Sequence, residues 1–547
     1  MDHRATMPQS AGAQAPADSP VSPPAESAAG VAGAGRLGRV RGWWGRGWLP
    51  LLLVLVVQAG LSARLVGADT AFQDEAEYLW AGHLQWSHWL HGTVIPPFAS
   101  YFSGTPVIYP PLGALADAAG GLAGARLLSL VFMLGSTALL WAVTVRVAGR
   151  RAAFFSCALF AVSGPVLHLG AFATYDAMSV FLLALASWLV VSARDTSEAA
   201  GRMALAGVVL ALANATAYSS ALFDPIVILL AFLVAWPAGA RLAARRTGAL
   251  LTVTAALLIA GVLIGGTSYT SGIRQTTLSR AAGTDPASAI LGSTWAWTGV
   301  ILVLAVGGII ASAVTRAGAR HTWLMALLAA AALLAPLDQA ALHTLDALDK
   351  HTALGLWFAA IAAGYAVDTF IAVAPDRRSQ TLTAAAGVIA LAFPISLGIS
   401  QSHAFATSWP DSAGFTAIFR PLAAHSTGPL LVEDPSIAEY YLPTGHRWQR
   451  WSSTRNIVLP AGASTGHPTK SAGITGDGDP ATFAHYIARH YFTLVALNFA
   501  DTTALDHAIR ADLSRAGYTI LDVVPYGIHG TYGTYVIFGE KNSGRHS

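Results

Sequence analysis

The chain has 547 residues, of which 54% are hydrophobic and 11% charged, with a mean hydropathy of +0.52 and a formal charge of +3. Soluble domains carry roughly 25% charged residues, so this composition excludes a soluble globular protein and describes a polytopic α-helical membrane protein. The small net charge, with no basic stripe or nucleic-acid module, gives no reason to expect a nucleic-acid partner, and the single cysteine, Cys157, excludes an intrachain disulfide.

Residues 1–47 are rich in Ala, Pro, Gly and Ser and end in Arg36, Arg39, Arg41 and Arg46 beside Trp43 and Trp44. That is the composition of a disordered tail closing in a basic, aromatic membrane anchor. Trp48–Val66 follows as an apolar run of about 19 residues, longer than a signal-peptide core, and predicts an uncleaved first transmembrane helix.

Residues 67–124 form a long mixed loop that opens with Phe72-Gln73-Asp74-Glu75-Ala76-Glu77-Tyr78. Thr70 with Gln73 three residues later reads as a capping box, so a helix should start here, its dipole helping to keep Asp74 and Glu75 ionised. At 3.6 residues per turn Asp74, Glu77 and Tyr78 share one face and Glu75 points toward Leu79. Carboxylates so placed at a membrane surface can hold a cation or remove a proton; they can also be a solvated helix start. The His and Trp residues of 83–91 read either as a metal cluster or as an aromatic belt.

Further apolar segments near 125–145, 152–170, 176–193, 203–218, 222–239, 248–266, 294–313, 322–336, 352–372 and 381–399 bring the expected spans to eleven and the membrane domain to residues 48–400. One side of these spans collects Arg39, Arg41, Arg150, Arg151, Arg245, Arg246, Arg377 and Arg378; the other has only Arg64, Arg126, Arg274, Arg280 and Lys350 at its edges. The positive-inside rule then puts the N-terminus in the cytoplasm and the acidic motif outside, together with residues 401–547. On that outer side the 267–293 loop is long enough to be a lid or a plain connector, and Lys350-His351, directly before a span, is a phosphate clamp or a snorkelling anchor. Arginine outnumbers lysine so heavily that only Lys350, Lys470 and Lys541 are lysines, a bias of high-G+C bacterial genomes that suggests a bacterial plasma membrane.

Beyond residue 400 the chain turns soluble in composition. Short β-rich runs at 430–432, 493–497, 519–524 and 534–538 alternate with helical stretches near 481–491 and 502–516, which predicts a small extracytoplasmic α/β domain. Asp477-Gly478-Asp479 looks like a nucleotide-sugar Asp-x-Asp motif, but Asp479 before Pro480 is better read as a helix N-cap.

Asp74-Glu75, Tyr109-Pro110-Pro111-Leu112, Ala125-Arg126-Leu127-Leu128-Ser129 and Ala173-Thr174-Tyr175-Asp176, in this order over residues 48–400, resemble the GT-C glycosyltransferases, and among them the protein O-mannosyltransferase and lipid A aminoarabinose transferase group. The resemblance implies a GT-C fold and transfer of a sugar from a polyprenyl-phosphate donor, arriving through membrane lipid, to an extracytoplasmic acceptor that is a glycan, lipid or protein. It makes Asp74 the catalytic acid position, Glu75 its partner and Asp176 a second acid in the same cavity, with a divalent metal ion on Asp74 and Asp176 as a possible cofactor. Glu77, Tyr78 and Tyr109 would line the substrate. Where the family often has a basic residue or His before the Pro-Pro pair this chain has Ile108-Tyr109, so the donor-phosphate contact expected there is either missing or supplied by Lys350, His351, Arg126 or Arg274. The competing reading, a transporter or flippase of an envelope precursor, needs polar residues at the midplane and an inverted repeat, and the sequence has its polar residues at the outer boundary.

Overall fold

The computed structural model describes residues 47–193, 198–442, 445–455, 457, 478–528 and 531–540; the basic N-terminal tail and Asp477 lie outside them. From Gly47 onward the chain forms one compact unit.

Helix α1 (Leu49–Ala63) starts on Pro50, whose fixed φ suits a first turn, and its 15 residues are fewer than the apolar run suggested. The chain leaves it at Arg64, whose guanidinium donates to the carbonyl of Ile399 and the hydroxyl of Ser402. Helix α2 (Gln73–His91) carries the acidic motif and stops at Gly92, which takes the left-handed conformation a C-cap requires. Its N-terminus corrects the expected Thr70–Gln73 capping box: the cap is Phe72, whose N–H donates to Glu75 Oε2 at 3.0 Å, and the Thr70 hydroxyl accepts from the Ser412 N–H instead. Glutamate three residues past Phe72 outcompetes glutamine three past Thr70, because a charged acceptor makes the stronger bond.

Helix α3 (Tyr109–Ala148) is broken at Gly120–Gly121, where Gly121 has φ 62°. The segment expected to span as 152–170 is split into α4 (Arg150–Ala161) and α5 (Gly164–Leu169), because Pro165 cannot donate to a continuing helix and Ser163 is extended ahead of it. Then come α6 (Tyr175–Ser192), α7 (Ala199–Thr216), α8 (Asp224–Ala235) with short 3-10 turns on either side, and α9 (Ala240–Ile273), broken at Gly266 and followed by a π-turn at Arg274–Leu278. Helices α10 (Ala287–Val314), α11 (Ala319–Ala341), α12 (Leu348–Ala372), α13 (Arg377–Ala390) and α14 (Ala392–Ala406) complete the bundle. Among the described residues nine helical stretches are long and apolar enough to cross a membrane; α1 and the α4–α5 pair are the remaining apolar segments of the sequence reading.

Helix α12 is the axis of this bundle, packed on α4, α10 and α11. Backbones approach closely where side chains are smallest: a Cβ at Gly364 would sit 2.4 Å from the Ala152 carbonyl oxygen, and one at Gly308 2.2 Å from that of Ala362. Helices that share an apolar solvent associate by such contacts, since burying apolar area gives no drive inside lipid.

The C-terminal part holds α15 (Ala413–His425), β1 (Leu430–Val432), α16 (Pro435–Tyr441), β2 (Trp451–Ser452), α17 (Pro480–Ala488), β3 (Leu494–Leu497), α18 (Thr503–Arg515), β4 (Thr519–Ile528) and β5 (Thr531–Gly539). The sheet order is β2-β1-β3-β5-β4, with β1 parallel to β2 and β3, and β5 antiparallel to β3 and β4. The predicted small α/β domain is present, and Asp479 caps α17 by accepting from the N–H groups of Ala481 and Thr482. The domain is fastened over the first loop: Tyr440 donates to Asp117 at 2.6 Å, the Ala71 N–H donates to the Tyr441 hydroxyl, the Trp409 indole donates to the Thr70 carbonyl, and α16 packs on α2.

Candidate active site

Three consecutive residues at the head of α12 reach three different helices. Ala347, with φ 62°, reverses the chain so that α12 begins at Leu348, and the 100° step between helical neighbours then fans Asp349, Lys350 and His351 apart. Lys350 Nζ donates to Asp74 Oδ2 of α2 at 2.5 Å, His351 Nε2 lies 3.9 Å from Asp176 Oδ1 of α6, and Asp349 Oδ2 lies 3.5 Å from His168 Nε2 of α5. The sequence reading singled out Asp74, Asp176, Lys350 and His351, and the fold brings these four together. It missed Asp349 as a site residue and His168 altogether, because a lone histidine inside an apolar segment carries no local signal.

Each group is held differently. Asp74 keeps 26% of its side chain exposed and Lys350 9%, so this pair is not fully sealed from solvent. Burial pushes the Asp74 carboxyl above its ordinary range and the Lys350 ammonium draws it back. Asp176 is 2% exposed; the Thr174 hydroxyl donates to its Oδ2 at 3.0 Å, while its Oδ1 has no hydrogen-bond partner. The His351 ring is set from its other side by Gln339, 3.0 Å from Nδ1. The Lys350 ammonium also lies 5.7 Å from the centre of the Phe172 ring, an apolar face that lowers the cost of holding it away from water. Tyr78, whose ring is tilted 33° against that of Tyr175 with centres 4.5 Å apart, donates to the Tyr175 hydroxyl, which donates to Ser103.

Glu75 and Arg126 form a closed clamp beside this mouth. Arg126 spends all five N–H groups, donating to both Glu75 oxygens at 2.8 and 2.7 Å and to the carbonyls of Val66, Asp69 and Thr70. Glu75 also accepts from the N–H groups of Phe72 and Ala173, and both side chains are almost fully buried. No donor of Arg126 remains for a phosphate and no lone pair of Glu75 for a proton, which corrects the catalytic and donor-binding roles that the resemblance implied for them. The clamp ties the α1–α2 loop to α3 and to the start of α6, and so sets Asp74 relative to Asp176.

The other candidates separate. Arg274 is exposed on the π-turn, and no described hydrogen bond or ion pair links it to Asp74, Asp176 or Lys350. Tyr109 is fully buried, its hydroxyl without a hydrogen-bond partner. Glu77 makes no described hydrogen bond or ion pair with Lys350; burial, with Asp434 and Asp74 nearby, pushes its carboxyl up to about 8. The 83–91 segment divides between helix faces, with His83 2.6 Å from Asp117 and the Trp86 indole donating to Pro111. Among the described residues no three His, Cys, Asp or Glu side chains are grouped to hold a metal ion, and Asp74 is engaged by Lys350, so a divalent ion here would have Asp74 and Asp176 as its protein ligands.

Comparison with known proteins bears on the fold. Residues 117–264 match the family model of dolichyl-phosphate-mannose-protein mannosyltransferase. ArnT from Cupriavidus metallidurans, solved bound to undecaprenyl phosphate, superposes with a TM-score of 0.55 at 14% identity, over 90% of this chain and 98% of that one. The archaeal oligosaccharyltransferase AglB from Archaeoglobus fulgidus, in complex with an inhibitory peptide and a dolichol-phosphate, gives 0.51 at 14% identity, over 90% of this chain and 74% of that one. The arabinofuranosyltransferase AftD from Mycobacteria gives 0.50 at 15% identity, over 89% of this chain and 40% of that one. No curated protein matches the sequence. A bundle of this topology, with its α/β domain standing over the loop that carries Asp74, has the fold of the GT-C membrane glycosyltransferases.

Proposed function

We propose that this chain is an integral-membrane glycosyltransferase that moves a sugar from a polyprenyl-phosphate donor to an acceptor outside the cytoplasm. The observation that carries the reading is the half-open Asp74–Lys350 pair beside the unsatisfied Asp176 oxygen, at one mouth of the bundle. The arginine asymmetry supports placing that mouth and the α/β domain on the extracytoplasmic side, where a lipid-linked sugar is at hand and nucleotide sugars are not.

In this mechanism the donor phosphate draws the Lys350 ammonium off Asp74, and the exchange uncovers the carboxylate as it seats the leaving group. The acceptor oxygen attacks the anomeric carbon while the bond from that carbon to the phosphate oxygen breaks. The bonding pair stays on the phosphate, neutralised by Lys350, and the acceptor hydroxyl proton passes to Asp74. A positioned base contributes on the order of 10² to 10⁴ in rate, and a cation aimed at the leaving oxygens a comparable share. Asp176, anchored through one oxygen by Thr174, orients a sugar hydroxyl with the other, and His351 holds it there. No step requires a metal ion.

The test is release of polyprenyl phosphate from a polyprenyl-phospho-sugar by purified protein in lipid, with Asp74→Asn as the variant. Loss of release in a folded variant supports the reading. Full release in Asp74→Asn, or turnover with a nucleotide sugar, refutes it.

A further inference from the structure

The C-terminal domain carries a cleft of its own beside the Asp74–Lys350 mouth. It measures about 110 Å³, several times the room one water needs and on the scale of a single sugar ring. It opens where the parallel strands β1 and β3 end, at Val432, Glu433 and Asp434 and at Asn498, Ala500 and Asp501, and reaches Phe72 and Gln73 at the head of α2. The carboxyl ends of parallel strands are where open α/β sheets bind ligands.

Two kinds of group line it. Rings come as two pairs: Phe72 and Trp409, with centres 5.2 Å apart, and Phe415 and Tyr535, stacked at 4.5 Å. The polar lining is Gln73, Asn498 and three carboxylates, and no Lys, Arg or His stands among the described lining residues. Glu433 is engaged within the domain, accepting from the backbone N–H groups of residues 498–502, so it builds the turn that forms one rim. Asp434 and Asp501 are more open. Asp434 Oδ1 caps α16 by accepting from the Ser436 N–H at 3.0 Å. Asp501 is 45% exposed, and its ion-pair partner Arg455 stands 3.9 Å away, beyond hydrogen-bonding reach.

We propose that this cleft is a subsite for a neutral saccharide, the residue next to the reacting one in a glycan acceptor, packed on the rings of Phe72 and Trp409 and hydrogen-bonded through its hydroxyls to Asp434 and Asp501. The saccharide follows from the cleft itself, and the word acceptor rests on the transferase reading. A sugar ring offers an apolar C–H face to the negative face of an aromatic ring, and a rim of hydroxyls that donate to carboxylates. Carboxylates with no cation in the lining repel phosphates, nucleotides and uronic acids. The place in the acceptor comes from the rings that divide the cleft from the chemistry. The Phe72 ring lies 5.6 Å from that of Phe172, and the Lys350 ammonium lies 5.7 Å from the Phe172 ring centre. A sugar in the cleft is thus one aromatic layer away from Lys350, and it anchors the neighbour of the reacting residue.

Saturation-transfer NMR on the full chain in lipid nanodiscs, without donor, tests this. The probes are the neutral disaccharides cellobiose, maltose, mannobiose, galactobiose, xylobiose and arabinobiose, with glucose phosphate and a capped threonine peptide as controls. At least one disaccharide should bind, and neither control should. Ala500→Trp fills the cleft from its exposed rim and leaves the residue 500 N–H on Glu433. Binding of that disaccharide should then weaken about ten-fold or more, the equivalent of one lost contact of good geometry. Asp434→Asn keeps a side chain able to cap α16 and removes the charge, so it should weaken binding roughly three- to ten-fold. Asp74→Asn should bind as wild type does. Thermal midpoints close to wild type in the two cleft variants separate a lost contact from a lost fold. In turnover both variants should raise the KM for the disaccharide acceptor and leave the KM for donor unchanged. No disaccharide binding, binding that survives both cleft variants, or binding of the peptide that is lost in them overturns the proposal. Saccharide binding that follows the variants, in a protein that never releases polyprenyl phosphate, leaves the saccharide site standing and removes the transferase reading.

Discussion

Asp74 and Glu75 are neighbours in the chain and end in opposite surroundings. Glu75 is closed into a bidentate pair with Arg126 that spends every donor and lone pair on protein partners. Asp74, turned about 100° around the same helix, meets one lysine, with a quarter of its side chain still exposed. A saturated buried pair can only hold the backbone in place, whereas a half-open pair can exchange its partner for a substrate. On the proposed function chemistry and scaffold are thus divided between two adjacent residues, and the division can be broken from either side.

The largest expected effect is on the open side. Asp74→Asn keeps shape and burial and removes the base, so the rate of polyprenyl-phosphate release should fall on the order of 10² to 10⁴-fold with the thermal midpoint within a few degrees of wild type. On the closed side, Arg126→Ala leaves the Glu75 carboxylate buried without its partner, a loss of about 3 to 5 kcal/mol. It should appear as poor yield and a lowered midpoint, and Arg126→Lys should recover little, because an ammonium cannot reproduce five planar N–H groups. If Arg126→Ala were well folded with a raised KM for donor, the clamp would belong to the binding site and the comparison would fail.

Lys350→Ala sharpens the open side further. Without the ammonium the donor phosphate loses a charge-assisted contact worth about 1.5 to 3 kcal/mol, so the KM for donor should rise roughly ten- to a hundred-fold with little loss of folded protein. An unchanged KM in a less stable protein would make Lys350 an interfacial anchor. The smallest effect is at Glu77, whose carboxyl sits at about 8 against an ordinary 4.5. The folded state therefore keeps a proton that the unfolded chain has released, and stability falls as pH rises through that window. Glu77→Gln does not titrate, so its midpoint should pull ahead of wild type by one to a few degrees, on the order expected for such a shift, as pH goes from about 5 to about 8. A gap that stays constant with pH would mean that Glu77 is solvated.

Much of the architecture could be read along the chain, because lipid imposes a one-dimensional test. A helix must bring some twenty apolar residues in a row to cross, and the expected segments between 125 and 399 all appear as helices. Two local features were missed for reasons of the same kind. Pro165 splits an apolar run that composition alone treats as continuous, and the first-loop cap shifts from Thr70 to Phe72 because Glu75 is the stronger acceptor. In the C-terminal domain the short β-rich runs at β1, β3, β4 and β5 were legible, while two-residue β2 is too short to leave a pattern.

The sequence by itself determined that the chain lives in a membrane, where its helices lie, that an α/β domain follows them, and that Asp74, Asp176, Lys350 and His351 are worth watching. Hydropathy and short motifs are local properties, and these conclusions need nothing else. Tertiary structure decided the partners. Asp74 and Lys350 are 276 positions apart and Glu75 and Arg126 are 51 apart, and nothing in either stretch says which acid takes the lysine and which the arginine. That choice follows from the turn at Ala347, the broken α4–α5 segment and the domain clasped over α2, which together fix which side chains can reach each other. The function proposed for this mouth rests on which pairings are left incomplete, and an incomplete pairing exists only once the chain has folded.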